Sequence, residues 1–203
     1  MRIRSLIFVA ALLCCITGLV YAAGSGRHVV GAFTLKEYVT IYKPDGTREV
    51  RRQIYRRASD GSFRIVETDG RKIFHDRGFV NGKGFFTVDY GSRTLWRHPD
   101  QKPERRAVPV SAEPFTRDEG FVGTETLFGR TAYHVRTPNG DGGTDSEDWY
   151  LPETGFVPVK RIAYKPDGSL ERAYEPYSLE FEEPEPAFVR LPDFPAADLA
   201  PRK

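Results

Sequence analysis

Glycine-centred turns, spaced closely and regularly, constrain this chain more than any other feature. Pro44-Asp45-Gly46, Ser59-Asp60-Gly61, Thr68-Asp69-Gly70, Asn81-Gly82-Lys83-Gly84 and Tyr90-Gly91-Ser92 follow one another in the first half, and Pro166-Asp167-Gly168 closes the second. Proline pre-sets the first turn position, aspartate bonds its own backbone and glycine supplies positive φ. Such turns between β-rich runs are strong hairpin signals. The runs between them alternate: Phe33, Leu35, Val39 and Ile41 fall on one face, with Glu37 interrupting it. No window carries a long amphipathic helix. About ten strands, with turns every 8 to 12 residues, predict a mainly β fold, a curled antiparallel sheet with little helix.

Strands are expected at Arg48–Ala58, Ser62–Glu67, Arg71–Asp76, Phe85–Asp89, Thr94–His98, Thr124–Phe128, Thr131–Thr137, Trp149–Leu151, Val157–Tyr164 and Leu170–Phe181. Pro99–Glu119 reads as a proline-rich loop crossing with one helical turn at Thr116–Glu119. Pro138–Asp148 reads as a polar loop. The pentapeptide Tyr-Lys-Pro-Asp-Gly occurs at Tyr42 and again at Tyr164, and is taken as a favourable hairpin turn rather than a duplication.

The organisation expected is a signal peptide at residues 1–22, one domain at 23–194 and a flexible tail at 195–203. Arg2 and Arg4 precede a charge-free run from Leu6 to Val20, and Val20-Tyr21-Ala22 is a small-x-small cleavage site. Cleavage would remove both cysteines, Cys14 and Cys15, and two arginines. The mature chain then carries 28 basic and 28 acidic residues in place of 30 and 28. Disulfide scaffolds and thiol chemistry are excluded for that form. Global nucleic-acid binding is disfavoured, and no transmembrane span is expected in the mature chain. Leu13 before Cys14 is not the small residue that lipidation of a cysteine requires, so a lipid anchor is the lesser expectation and a periplasmic or secreted location the greater.

Two segments then carry a resemblance. Gly123-Thr124-Glu125-Thr126-Leu127-Phe128-Gly129-Arg130-Thr131-Ala132-Tyr133-His134-Val135 precedes Asp148-Trp149-Tyr150-Leu151-Pro152-Glu153-Thr154-Gly155-Phe156-Val157-Pro158-Val159-Lys160. The chain then closes with Phe188-Val189-Arg190-Leu191-Pro192-Asp193-Phe194. The pattern resembles the periplasmic lipoprotein-carrier superfamily of LolA, LolB and RseB. The resemblance implies a half-open, incomplete β-barrel with a lid, whose concave apolar face holds acyl chains. A lid made of helices is not expected, because the segments where the carriers have helices are here short or rich in proline.

The function expected is therefore non-enzymatic: a carrier or sensor of a lipid or lipoprotein acyl chain, with a protein-interaction or envelope-stress module on the same fold as the alternative. A hydrolase is a lesser reading, suggested only by His28, His75, His98 and His134. No nucleophile elbow, zinc-protease pattern or phosphate loop is present, and no cofactor is expected. Asn139, Asp141, Asp145, Glu147 and Asp148 supply oxygen ligands, but not in an EF-hand pattern, and read as a solvated loop rather than a calcium site. Ligand-lining positions are sought among the 26 aromatic residues: Phe33, Tyr55, Phe63, Phe74, Phe86, Trp96, Tyr133 and Trp149. The same residues serve either a filled core or an apolar cavity. Charge is uneven, with ten basic and six acidic residues from Lys43 to Arg77 and six glutamates against Arg172 from Glu171 to Glu185. Arg52 and Arg56 share a face with Val50 and Ile54, which either meets solvent or lines a wet cavity.

Overall fold

The computed structural model describes residues 27–99, 109–139 and 143–199. The expected signal segment, with Cys14 and Cys15, lies outside them. In chain order the strands are β1 (Arg27–Val29), β2 (Phe33–Tyr42), β3 (Arg48–Arg57), β4 (Phe63–Thr68), β5 (Ile73–Val80), β6 (Gly84–Asp89), β7 (Thr94–His98) and β8 (Pro109–Ser111). After a helical turn α1 (Glu113–Thr116) come β9 (Phe121–Leu127), β10 (Arg130–Pro138), β11 (Thr144–Tyr150), β12 (Pro158–Tyr164) and β13 (Leu170–Glu180). A second turn α2 (Pro186–Val189) precedes β14 (Ala196–Asp198).

Twelve strands form one open sheet in the order β14-β7-β6-β5-β4-β3-β2-β13-β12-β11-β10-β9, while β1 and β8 pair separately. Pairing is antiparallel except between β14 and β7. The two halves of the chain join where β2 pairs β13, from Thr34 opposite Glu180 to Ile41 opposite Arg172. Side chains from β2–β5 and from β10–β12 meet in a single apolar cluster, including Phe33, Phe63, Phe79, Val135, Leu151 and Val159. The sheet is therefore curled around that face without closing, which is the half-open architecture the sequence predicts.

The two Tyr-Lys-Pro-Asp-Gly segments form the same turn. Gly46 (φ 80) donates its N–H to the Lys43 carbonyl at 3.0 Å, and Gly168 (φ 79) to the Lys165 carbonyl at 2.8 Å. Asp45 accepts from the Thr47 N–H and Asp167 from the Ser169 N–H, both at 2.9 Å. Because β2 and β13 are antiparallel neighbours, both turns stand side by side at one end of the sheet.

Among the segments that differ from the sequence reading, three bear on the packing. The helical turn forms at Glu113–Thr116 rather than Thr116–Glu119, because Phe115 is buried, stacked on Tyr150 at 5.0 Å and Tyr133 at 5.7 Å. The polar stretch turns into strand at Thr144, since its side chains find partners: Ser146 donates to Asp148 at 2.8 Å and Tyr164 to Glu147 at 2.9 Å. Finally, Ala196–Asp198 adds an edge strand beside β7, held by Arg97 and Asp198 at 2.6 Å.

Between β13 and β14 the chain crosses the outer face of β4–β7 as a strap. Leu191 and Phe194 pack on a second apolar cluster of Phe86, Val88 and Leu95. Phe188 lies against the Arg56 guanidinium at 4.7 Å, on the face that Arg52 and Arg56 share with Val50 and Ile54.

Candidate functional site

Cross-strand pairing divides the inner face into rungs, and each rung can be read from the register. The first holds Phe33, Arg57, Phe63, Phe79 and Phe85; the second Leu35, Tyr55, Ile65, Arg77 and Thr87. The third holds Glu37, Gln53, Glu67 and His75. The first rung is therefore apolar but for the buried Arg57, and the third is polar.

The apolar end is packed. Ring centroids step from Phe33 to Tyr55 (5.3 Å), Tyr55 to Phe63 (5.3 Å), Phe63 to Phe85 (5.7 Å) and Phe85 to Phe79 (5.0 Å). Phe33 and Phe79 have at most 1% of their surface exposed. Offset and tilted rings at these separations are favourable in themselves and leave no room between them.

The polar end is open. A cavity of about 360 Å³ lies between β2–β5 and β12–β13, its walls including Leu35 and Tyr55, the cations Arg77, Arg161 and Arg172, and the acids Glu37 and Glu171. Three carboxyl groups on this face are almost fully buried. Glu37, 3% exposed, accepts a hydrogen bond from the Gln53 side-chain amide at 2.9 Å. Burial pushes its carboxyl from the usual 4.5 up to about 7, against a smaller opposing effect of the Gln53 bond. Glu67, 2% exposed, is paired with Arg51 at 2.6 Å and lies 4.0 Å from Arg172. Asp148, 3% exposed, lies 3.4 Å from the Arg161 Nε, and burial raises its carboxyl despite that charge and the Ser146 hydroxyl. Arg77, on the second rung, has no ion pair among the described residues and leaves a positive charge at the opening.

Five of the eight aromatic positions share one apolar cluster, Phe33, Tyr55, Phe63 and Trp149 within it and Tyr133 packed against it, while Phe74, Phe86 and Trp96 lie elsewhere. Phe33, Tyr55 and Phe63 stack together in the packed end, and of the eight Tyr55 alone reaches the open cavity. Phe74 sits where the β4–β5 register shifts, its ring 3.6 Å from the Arg51 guanidinium carbon. Phe86 lies on the outer face under the strap. Trp96 is half-buried opposite Thr87, and Tyr133 stacks on Phe115. Trp149 stacks on His134 at 4.1 Å with Lys160 at 4.2 Å. Sequence reasoning missed the charged lining, although one signal was there: Glu37 is the only charge in the alternation Phe33, Leu35, Val39, Ile41.

The histidines take separate places. His75 is exposed on the third rung, His98 Nε2 lies 2.8 Å from the Thr87 hydroxyl, and His134 Nε2 lies 2.8 Å from Glu147. Although burial opposes it, bonds from Tyr164 and His134 hold the Glu147 carboxyl below its usual range. Among the described residues no three His, Cys, Asp or Glu side chains converge as a metal-binding group; residues 140–142 of the acidic loop lie outside them.

No family sequence model matches the chain, and no curated protein matches it. Solved structures do. An uncharacterised conserved protein of Thermus thermophilus is 13% identical, with a TM-score of 0.50 over 82% of this chain and 90% of that one. The likeness is one of fold. A LolA superfamily protein of Nitrosomonas europaea aligns over 80% of this chain and 91% of its own, at 9% identity and a TM-score of 0.34. The MucA/MucB complex of Pseudomonas aeruginosa aligns over 78% of this chain, at 18% identity and a TM-score of 0.44. There the chain spans only 56% of its counterpart's length. Among the described residues no helix is long and apolar enough to cross a membrane.

Proposed function

We propose that this is a periplasmic or secreted, non-enzymatic binding protein whose concave mouth receives an acidic segment of a protein partner. The observation that carries the reading is the division of the inner face. Its apolar end is occupied by the protein's own rings, and its open end presents three cations, Arg77, Arg161 and Arg172, against two acids, Glu37 and Glu171, around a cavity of about 360 Å³. Arg161 and Arg172 already face buried carboxylates, so Arg77 is the cation an incoming carboxylate would engage first. In this reading Tyr55 is the one of the eight aromatic positions that touches the ligand. The other reading, an acyl chain in the concave apolar face, requires the row from Phe33 to Phe85 to part.

Calorimetric titration with a decapeptide of alternating glutamate and serine tests the proposal. Saturable binding is expected, weakened by added salt and reduced about tenfold in Arg77→Glu, the loss of roughly 1.4 kcal/mol at a rim charge pair turned repulsive. Absence of peptide binding, together with acyl chains recovered by mass spectrometry from organic extracts of the purified protein, would favour the lipid reading and overturn this one.

A further inference from the structure

Among the described residues, one buried carboxyl group of the mouth has no cation paired with it. Glu37 stands in the middle of β2 and forms part of the wall of the cavity of about 360 Å³. It is 3% exposed, and its side-chain partner is the neutral Gln53 amide at 2.9 Å. Its cross-strand neighbour on β13 is Pro176, a residue with neither charge nor N–H.

Most of the charges around it are committed elsewhere. From β3, Arg51 holds Glu67 of β4 at 2.6 Å and Glu49 at 2.8 Å. From β13, Arg172 lies 4.0 Å from the same Glu67. From β12, Arg161 lies 3.4 Å from Asp148 of β11. From β5 come Arg77, exposed and without an ion pair among the described residues, and His75, exposed at the end of the third rung. Tyr55 and Tyr174 are the phenols of the lining.

Glu171 is the other acid of the lining and is exposed, so water screens its charge. A charge on the buried Glu37 is screened far less. While Glu37 holds its proton, three arginines of the lining face Glu171 alone; once it ionises, they face two acids. Ionised, Glu37 is also the chemical equal of an incoming glutamate or aspartate, a carboxylate for the same arginines. Burial brings its ionisation from 4.5 to about 7, so both forms are present in the neutral range.

We propose that Glu37 is a built-in competitor that makes the mouth proton-gated. The acidic segment enters while Glu37 carries its proton, and is released when Glu37 gives that proton to solvent and takes the segment's place among the arginines. This rests on the reading of the mouth as the site of an acidic segment, and adds the condition under which that site is open.

The test is calorimetric titration of the full chain with the glutamate–serine decapeptide at about pH 6 and about pH 8, at one ionic strength. The peptide's own carboxylates are ionised at both. Affinity falls about tenfold between the two, the ratio of the protonated fractions of a group that ionises at about 7. Glu37→Gln, neutral at both, keeps the higher affinity throughout. Histidine also changes charge in this interval, so His75→Asn is the control, and it keeps the slope of the wild type. Should Glu37→Gln fail to fold by circular dichroism, the carboxyl carbon resonance of Glu37 in the wild type decides. Saturating peptide raises its titration midpoint, because the coupling is reciprocal. Equal peptide affinity at both pH values, a slope that survives Glu37→Gln or is lost in His75→Asn, or an unmoved midpoint overturns the gate and leaves the acidic-segment reading standing. No peptide binding at either pH overturns both.

Discussion

The two ends of the inner face are built on the same strands and behave in opposite ways. On β2, two residues separate each rung: Phe33 and Leu35 are packed among rings and aliphatic side chains, and Glu37 is buried beside an amide and an open cavity. At the first end the stabilisation comes from excluded water and close ring contacts. At the second, burial of the Glu37 and Asp148 carboxyl groups carries a desolvation cost that Gln53 and Arg161 offset only in part. A face that is uniformly apolar would suit a chain-carrying groove. One that changes character along its strands separates a structural end from an end that meets a ligand.

Substitutions can break this contrast, and the largest effect is expected at the packed end. Phe33→Ala should destabilise the protein by about 3 to 5 kcal/mol in chemical denaturation, because its site is closed on all sides and cannot collapse. A cost below about 1 kcal/mol would mean that the aromatic row is loose enough to admit a ligand.

At the mouth the sign reverses. Glu37 ionises near 4.5 in the unfolded chain but at about 7 in the folded protein. Its contribution to stability is therefore complete below pH 4.5 and is lost as pH rises through about 7, a change on the order of 3 kcal/mol. Glu37→Gln should remove that slope and make the protein more stable than wild type at about pH 8, read as a higher midpoint of thermal unfolding. A pH profile identical to that of the wild type would refute the desolvation argument.

Between the two ends, Ile65→Val on the second rung should cost about 0.5 to 1.5 kcal/mol. A value near zero would move the boundary of the packed region toward the first rung. Least of all, Arg77→Glu should change stability by no more than about 0.5 kcal/mol, as for an exposed side chain without an ion pair among the described residues. A strongly destabilised variant would show that Arg77 belongs to the structure rather than to the mouth.

Much of this architecture was legible from residues near one another in the chain. The Asp-Gly and Asn-Gly turns, the alternation on β2 and the absence of long helix specify an antiparallel curled sheet. The aromatic set was harder to place. Phe85 and Phe86 are adjacent, yet the first packs edge-on against Phe63 and tilted against Phe79 while the second meets Leu191 and Phe194 of the strap on the outer face. Alternation predicts that they point apart, but which of the two faces inward depends on strands far away in sequence. Phe74 is harder still, since a shift in register between β4 and β5 decides where its ring goes.

What the sequence determined by itself is therefore the local part: where strands begin and turn, and which side chains share a face along a single strand. A two-residue period and the φ demands of glycine turns need no distant partner. Only the tertiary structure decided which of those faces meet. Pairing β2 with β13 and curling the sheet put Arg161 and Arg172 across from Glu37 and Arg77, and anchoring the strap to Ser59, Arg64 and Leu95 covered Phe86 and Leu95 on the other side. Both depend on contacts between residues far apart in the chain, whose register is set by the packing of the whole sheet.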